Sequence, residues 1–182
     1  MSIFFDVIQF RKSVSCNTSK SNDVFSKRII CFDYGTHKIG FAVSDEEYNF
    51  AFPKDVIIGQ WIDINEAFNA MKQVCENNKI KFIVFGFPKK PDNTLSENCE
   101  KILQIAEKFD KDNYQILLFD ERFSTKASTA VFRSKKNNFG HKKNHVKNQP
   151  KYDDAMAASV ILNDVLQIFA TNDQSKSSLS YQ

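Results

Sequence analysis

Three carboxylate-bearing stretches stand where an apolar run gives way to a turn or where a helix opens. Asp33 lies in Asp33-Tyr34-Gly35-Thr36-His37-Lys38-Ile39-Gly40, directly after an apolar segment. Glu121 lies in Asp120-Glu121-Arg122 after a second such segment, and Asp154 lies in Asp153-Asp154 at the start of an apolar helix. Carboxylates brought together repel one another, so such a cluster either shares protons or binds cations. Hard oxygen donors suit Mg²⁺ or Mn²⁺, and two such ions can activate a water and stabilise the leaving oxygen in an in-line attack on a phosphodiester. Each acid also has a plainer use. Asp33 can begin a turn, Glu121-Arg122 can be an exposed ion pair, and Asp153-Asp154 can be favourable charges at a helix N-terminus. Their joint occurrence at the ends of separate elements favours the metal site.

The elements that must position these acids follow from periodicity and turn signals. Strands are expected over Arg28–Phe32, Ile39–Ser44 and Phe50–Ile58, the last with Pro53 placing it at an edge or at a bulge. Ile64, Ala67, Phe68, Met71, Val74 and Cys75 recur at helical spacing, giving an amphipathic helix that ends near Asn77-Asn78. Lys81–Phe87 reads as a strand stopped by Pro88, and Thr94-Leu95-Ser96-Glu97 has capping-box spacing before a second helix. Tyr114–Phe119 is the fifth strand. Ser124 or Thr125 caps a short helix through Phe132, and a final helix runs from Asp153 to Phe169. An antiparallel start followed by strand-helix-strand crossovers predicts an α/β fold, a mixed five-stranded sheet with its first three strands antiparallel and helices on both faces. In such sheets sites form beyond the carboxyl ends of strands. Asp33 and Glu121 are expected just past two of those ends, with Asp154 in the first turn of the last helix. The small Ala157-Ala158 pair lets that helix come close.

The chain has 182 residues, enough for one domain, and its 18 Phe supply core volume. Residues 1–27 read as an N-terminal extension, an irregular segment or an organellar targeting segment, ahead of a domain over 28–169 and a disordered tail over 170–182. The location is expected to be cytoplasmic, or an organelle of bacterial origin if the extension is an address. Net charge is +3, but Arg133, Lys135, Lys136, Lys142, Lys143, Lys147 and Lys151 fall in a stretch without any acid. Such a run can be a solvated loop. Set between two acidic motifs, it is well placed to attract phosphates. Cys16, Cys31, Cys75 and Cys99 form no Cys-x-x-Cys pair, which argues against zinc and against a disulfide framework. His37, His141 and His145 lack ligand spacing and read as surface or phosphate-contacting groups. No apolar run is long enough to span a membrane.

The chain resembles the YqgF (RuvX-like) family of the ribonuclease H-like superfamily, described as Holliday junction resolvases and as pre-16S rRNA nucleases. The resemblance runs from about Arg28 to Leu166 and rests on four ordered stretches: Asp33 to Asp45, Gly86-Phe87-Pro88, Asp120 to Thr125, and Asp154 to Ala158 with Ile161-Leu162. It implies a ribonuclease H-like fold and carries the catalytic and metal-binding roles onto Asp33, Glu121 and Asp154, with Mg²⁺ or Mn²⁺, two ions, as cofactor. Lys38 and Arg122 match basic positions of the family and take phosphate contacts, joined by Arg133, Lys135, Lys136, Lys142, Lys143 and Lys147. Two departures stand out. His37-Lys38 occupies the place of the family's usual Lys-Arg, and Asp92-Asn93-Thr94 the place of its Asp-Gly-Ser loop.

The resulting expectation is a metal-dependent endonuclease of structured nucleic acid, acting on the 5′ end of small-subunit rRNA precursor. Branched DNA in recombination is the alternative substrate, and a monomer or homodimer the expected state. A nucleic-acid-binding protein of ribosome assembly or transcription, with structural acids, is the competing class. A sugar-kinase or actin-like ATPase also uses Asp-x-Gly-Thr, but needs two domains and a Gly-rich loop that a chain with five Gly does not supply.

Overall fold

Along the strand that carries Asp33, side chains alternate between two cores. Ile30, Phe32 and Tyr34 join one buried cluster and Ile29 and Cys31 the other, as the period of two of a strand covered on both faces requires. The computed structural model describes residues 2–18, 25–61, 63–90, 92, 94–120 and 150–177. In chain order the elements are β1 (Ile3–Phe4), α1 (Val7–Thr18), β2 (Ser26–Tyr34), β3 (Lys38–Ser44), β4 (Ala51–Ile58), α2 (Ile64–Asn77), β5 (Ile80–Gly86), α3 (Glu97–Lys111), β6 (Gln115–Phe119) and α4 (Pro150–Ser177).

The strands form one sheet in the order β1-β6-β5-β2-β3-β4. β3 is antiparallel to both β2 and β4, and the β2–β5, β5–β6 and β6–β1 pairs are parallel. The mixed sheet with an antiparallel start is therefore as expected. α2 and α3 cover the face of Phe32 and Phe85, and α1 and α4 cover the face of Cys31 and Val84. Ala155, Ala158, Leu162, Val165 and Phe169 recur every three or four residues along α4 and are buried. Fully burying a side chain such as Leu162 contributes about 1.5–3 kcal/mol.

Among the described residues the sheet has six strands rather than five. The added one comes from the segment read as an extension: Ile3 and Phe4 pair with Ile116 and Leu117. Ser2 clamps this pair, its N–H donating to Asp110 Oδ1 at 2.7 Å and its carbonyl accepting from Ile116 N–H at 2.7 Å. Helix α1 then buries Phe10 and Val14, one turn apart, in the α4-side core. Two paired residues are too short to leave a period in the sequence.

Other boundaries also differ. The helix expected from a Thr94 capping box is capped by Ser96, whose Oγ accepts from Cys99 N–H at 3.2 Å. Thr94 instead bonds Asp92 through its hydroxyl at 2.6 Å. α4 begins at Pro150, a residue suited to a first helical position, and reaches Ser177 because nothing from Ala170 onward is Gly or Pro. Asp154 is thus in the second turn, and the segment read as a frayed tail is helical as far as Ser177. Pro53 lies on the edge strand beside a bulge between Phe41 and Ala42, as its missing N–H requires.

Candidate active site

Asp33 is the next residue after Ile29 and Cys31 on the α4-facing side of β2. It sits within the strand rather than past its end, paired with Gly40 of β3. Gly40 is what lets α4 reach this point: a Cβ there would collide with the Asp154 carbonyl and lie 2.8 Å from Ala155 N. The close approach expected at Ala157-Ala158 is made by Gly40 on the strand and by Ala155 and Ala158 on the helix.

The result is an interacting pair of acids on two separate elements. Burial, and after it the negative charge of Asp154, push the Asp33 carboxyl up from 3.8 to about 6. Both causes disfavour the charged form, so the geometry concentrates negative potential that a cation would relieve. Among the described residues Lys38 is a nearby positive group, with Nζ 3.8 Å from Asp154 Oδ2 and both side chains more than a third exposed. A pair so exposed contributes little to stability.

Lys38 is placed by the turn between β2 and β3. Gly35 N–H donates to the Lys38 carbonyl at 2.9 Å, and a Cβ on Gly35 would lie 2.8 Å from that oxygen, so glycine keeps the turn tight. The chain after β4 pins the outside of the turn, with Gly59 N–H on the His37 carbonyl at 3.1 Å and Trp61 N–H on the Thr36 carbonyl at 3.4 Å. His37 is exposed, its Nδ1 3.0 Å from Thr36 Oγ1. It is a surface group.

Of the expected site residues, then, Asp33, Asp154 and Lys38 are brought together. Glu121, Arg122, Arg133, Lys135, Lys136, Lys142, Lys143 and Lys147 lie outside the described residues, as do His141, His145 and the short helix expected through Phe132. Among the described residues no three His, Cys, Asp or Glu side chains form a metal-ligand cluster. β6, however, ends on the rung of the site: Phe119 pairs with Gly86, one residue beyond the Phe85–Phe32 pair and level with Asp33. Sequence reasoning missed Gly40 as the contact for the helix. Its signal was a glycine inside an apolar strand, which marks a bulge or a close backbone approach.

Counted from β2, the sheet order is 5-4-1-2-3 with the second strand reversed. With an acid on its central strand and a second on the helix across it, this is a ribonuclease H-like protein. The chain belongs to the RuvX family, described as Holliday junction resolvase, whose profile matches residues 27–168. It is 33% identical over 146 residues to a Rickettsia akari protein carrying the provisional name pre-16S rRNA nuclease, covering 79% of this chain and 88% of that one. A Malacoplasma penetrans protein of the same name is 32% identical over 145 residues, covering 78% of this chain and 94% of that one. Among solved structures it is similar to the Fowlpox virus resolvase in complex with Holliday junction DNA, at 14% identity and a TM-score of 0.41, covering 81% of this chain and 98% of that one. The family is one of nucleases, hydrolases that act on nucleic acid.

Proposed function

We propose that the protein is a metal-dependent endonuclease that trims the 5′ end of a small-subunit rRNA precursor. The observation that carries this is the Asp33–Asp154 pair, in which a half-buried carboxyl is pushed up to about 6 by burial and by its neighbour's charge. Two oxygen donors in that state fit a hard divalent cation better than they fit each other. Asp33 and Asp154 would hold Mg²⁺ or Mn²⁺ together with Glu121. Such ions supply Lewis-acid stabilisation and a nucleophilic water at neutral pH.

The chain's own residues do the rest. Gly40 sets the helix-to-strand distance and so the separation of the two acids. Lys38, half-exposed beside Asp154, meets a phosphate oxygen of the bound strand. Arg122 and the basic stretch Arg133, Lys135, Lys136, Lys142, Lys143 and Lys147 attract the backbone without reading sequence. RNA is favoured as substrate by the names of the relatives, and branched DNA is the second reading because the family's description is a junction resolvase.

Incubation with a precursor rRNA and with a four-way DNA junction, each with Mg²⁺, Mn²⁺ or chelator, separates the two. Metal-dependent cleavage of the RNA at a defined 5′ position is expected. Cleavage of the junction alone would move the assignment to recombination, and binding of both with cleavage of neither would make the protein a non-catalytic RNA-binding factor.

A further inference from the structure

The N-terminal segment lies outside the family match at 27–168, yet it brings an exposed aromatic ring to the rim where the acids sit. β1 runs parallel to β6, so the chain leaves β1 at the same carboxyl end of the sheet as β2, β5 and β6. Phe5 is the first residue past that end. Although it belongs to a segment anchored by Ser2 and Phe10, it is 58% exposed. Its ring stands edge-on to buried Phe87 at 6.3 Å between centroids.

The loop after β5 adds a cation. Lys89 N–H donates to the Phe87 carbonyl at 3.0 Å, folding the chain back at Pro88, and Lys89 Nζ lies 5.7 Å from the centroids of both Phe5 and Phe87. An apolar core contact explains Phe87. It does not explain an exposed Phe5 held at a strand end next to a lysine.

We propose that Phe5 and Lys89 form a substrate platform: an unpaired base stacks on the Phe5 ring and Lys89 meets the adjoining phosphate. Aromatic rings beside cations suit single-stranded nucleic acid because every base has a π-face and every linkage a charge. The platform rests on the nuclease reading above and extends it. β1 lies three strand intervals from β2, so Phe5 is on the order of 15 Å from β2 along the rim, and because Phe87 belongs to the α2–α3 side of the sheet while Asp33 faces α4, a strand joining ring and acids crosses over the carboxyl ends of the strands. The ring would therefore hold an unpaired strand a few nucleotides from the bond that is cut, favouring substrates with a single-stranded end or bulge.

The test uses the full chain, chelator to prevent cleavage, and an oligoribonucleotide carrying 2-aminopurine in an unpaired stretch beside a stem. Wild type is expected to bind and to change the probe's fluorescence as the base stacks. Phe5→Leu keeps apolar bulk against Phe87 but offers no ring plane, and is expected to bind about tenfold to a hundredfold more weakly with no stacking signal and an unchanged melting temperature. Phe5→Trp restores both. Lys89→Gln lowers the slope of log affinity against log salt by about 0.7. If wild type binds and Phe5→Leu matches it in affinity and signal, the platform is wrong. If wild type binds neither this RNA nor a DNA counterpart, the nuclease reading itself fails.

Discussion

Replacing Asp33 by Asn should stabilise the metal-free protein, and the gain should depend on pH in a direction fixed by the site. Burial and the neighbouring Asp154 charge push the folded carboxyl up from its ordinary 3.8 to about 6. At 1.36 kcal/mol per pH unit, holding it ionised in the folded state costs up to about 3 kcal/mol. Because the folded value is the higher one, the native state keeps its proton longer. The relative stability this gives wild type is fully present below about pH 4 and is lost as pH rises through about 6. Asp33→Asn removes that loss. In chelator above about pH 7 the variant should therefore melt roughly 6–12 °C higher than wild type for a chain of this size, and the difference should vanish near about pH 4. Mg²⁺ or Mn²⁺ should then stabilise wild type and leave the variant unmoved, since only the charged pair gains from the cation. Paired thermal scans across pH, with and without metal, are sufficient. A variant no more stable than wild type at high pH, or an advantage that grows as pH falls, would refute the reasoning.

Gly40→Ala should cost about 1–3 kcal/mol in denaturant unfolding, because its Cβ would meet the Asp154 carbonyl, and cleavage should fall further than stability does as the two acids are pushed apart. Lys38→Met should change unfolding free energy by less than about 1 kcal/mol, its pair with Asp154 being exposed, while weakening nucleic-acid binding and reducing its salt dependence in a filter-binding assay. Ser96→Ala should cost about 1 kcal/mol through the lost cap of α3, and Thr94→Ala distinctly less, a contrast that urea titrations resolve. Deleting residues 2–18 should leave a chain that fails to melt cooperatively in calorimetry, since it uncovers the α4-side core around Phe10 and Val14 and strips the edge of β6.

Much of this was legible in the sequence because local signals and tertiary structure agreed. β2, β3, β5 and β6 are apolar runs with clear stops, and α2 and α3 carry apolar stripes, so the mixed sheet and its covered faces follow from periodicity together with the order of the elements. Asp33 and Asp154 stood out because each was expected at the end of a separate apolar element, where carboxylates can converge. What stayed hidden were contacts with no local trace. Gly40 looks like any strand glycine until α4 is laid across it, and Ile3-Phe4 is too short to declare itself a strand until β6 provides the partner. Thr94 heads a capping-box spacing, but its hydroxyl is taken by Asp92 and Ser96 caps α3 instead, a partner choice the spacing does not show. The elevated Asp33 carboxyl is likewise a property of two elements meeting.

The central claim is that Asp33, Glu121 and Asp154 act together on a phosphodiester. It is tested most directly by single-turnover cleavage of precursor rRNA and of a DNA junction by wild type, Asp33→Asn, Glu121→Gln and Asp154→Asn, in Mg²⁺ and in chelator. The account predicts cleavage by wild type in Mg²⁺ only, and its loss in all three variants while nucleic-acid binding persists. Undiminished cleavage by Asp33→Asn or Asp154→Asn, or cleavage by wild type that survives the chelator, would contradict it.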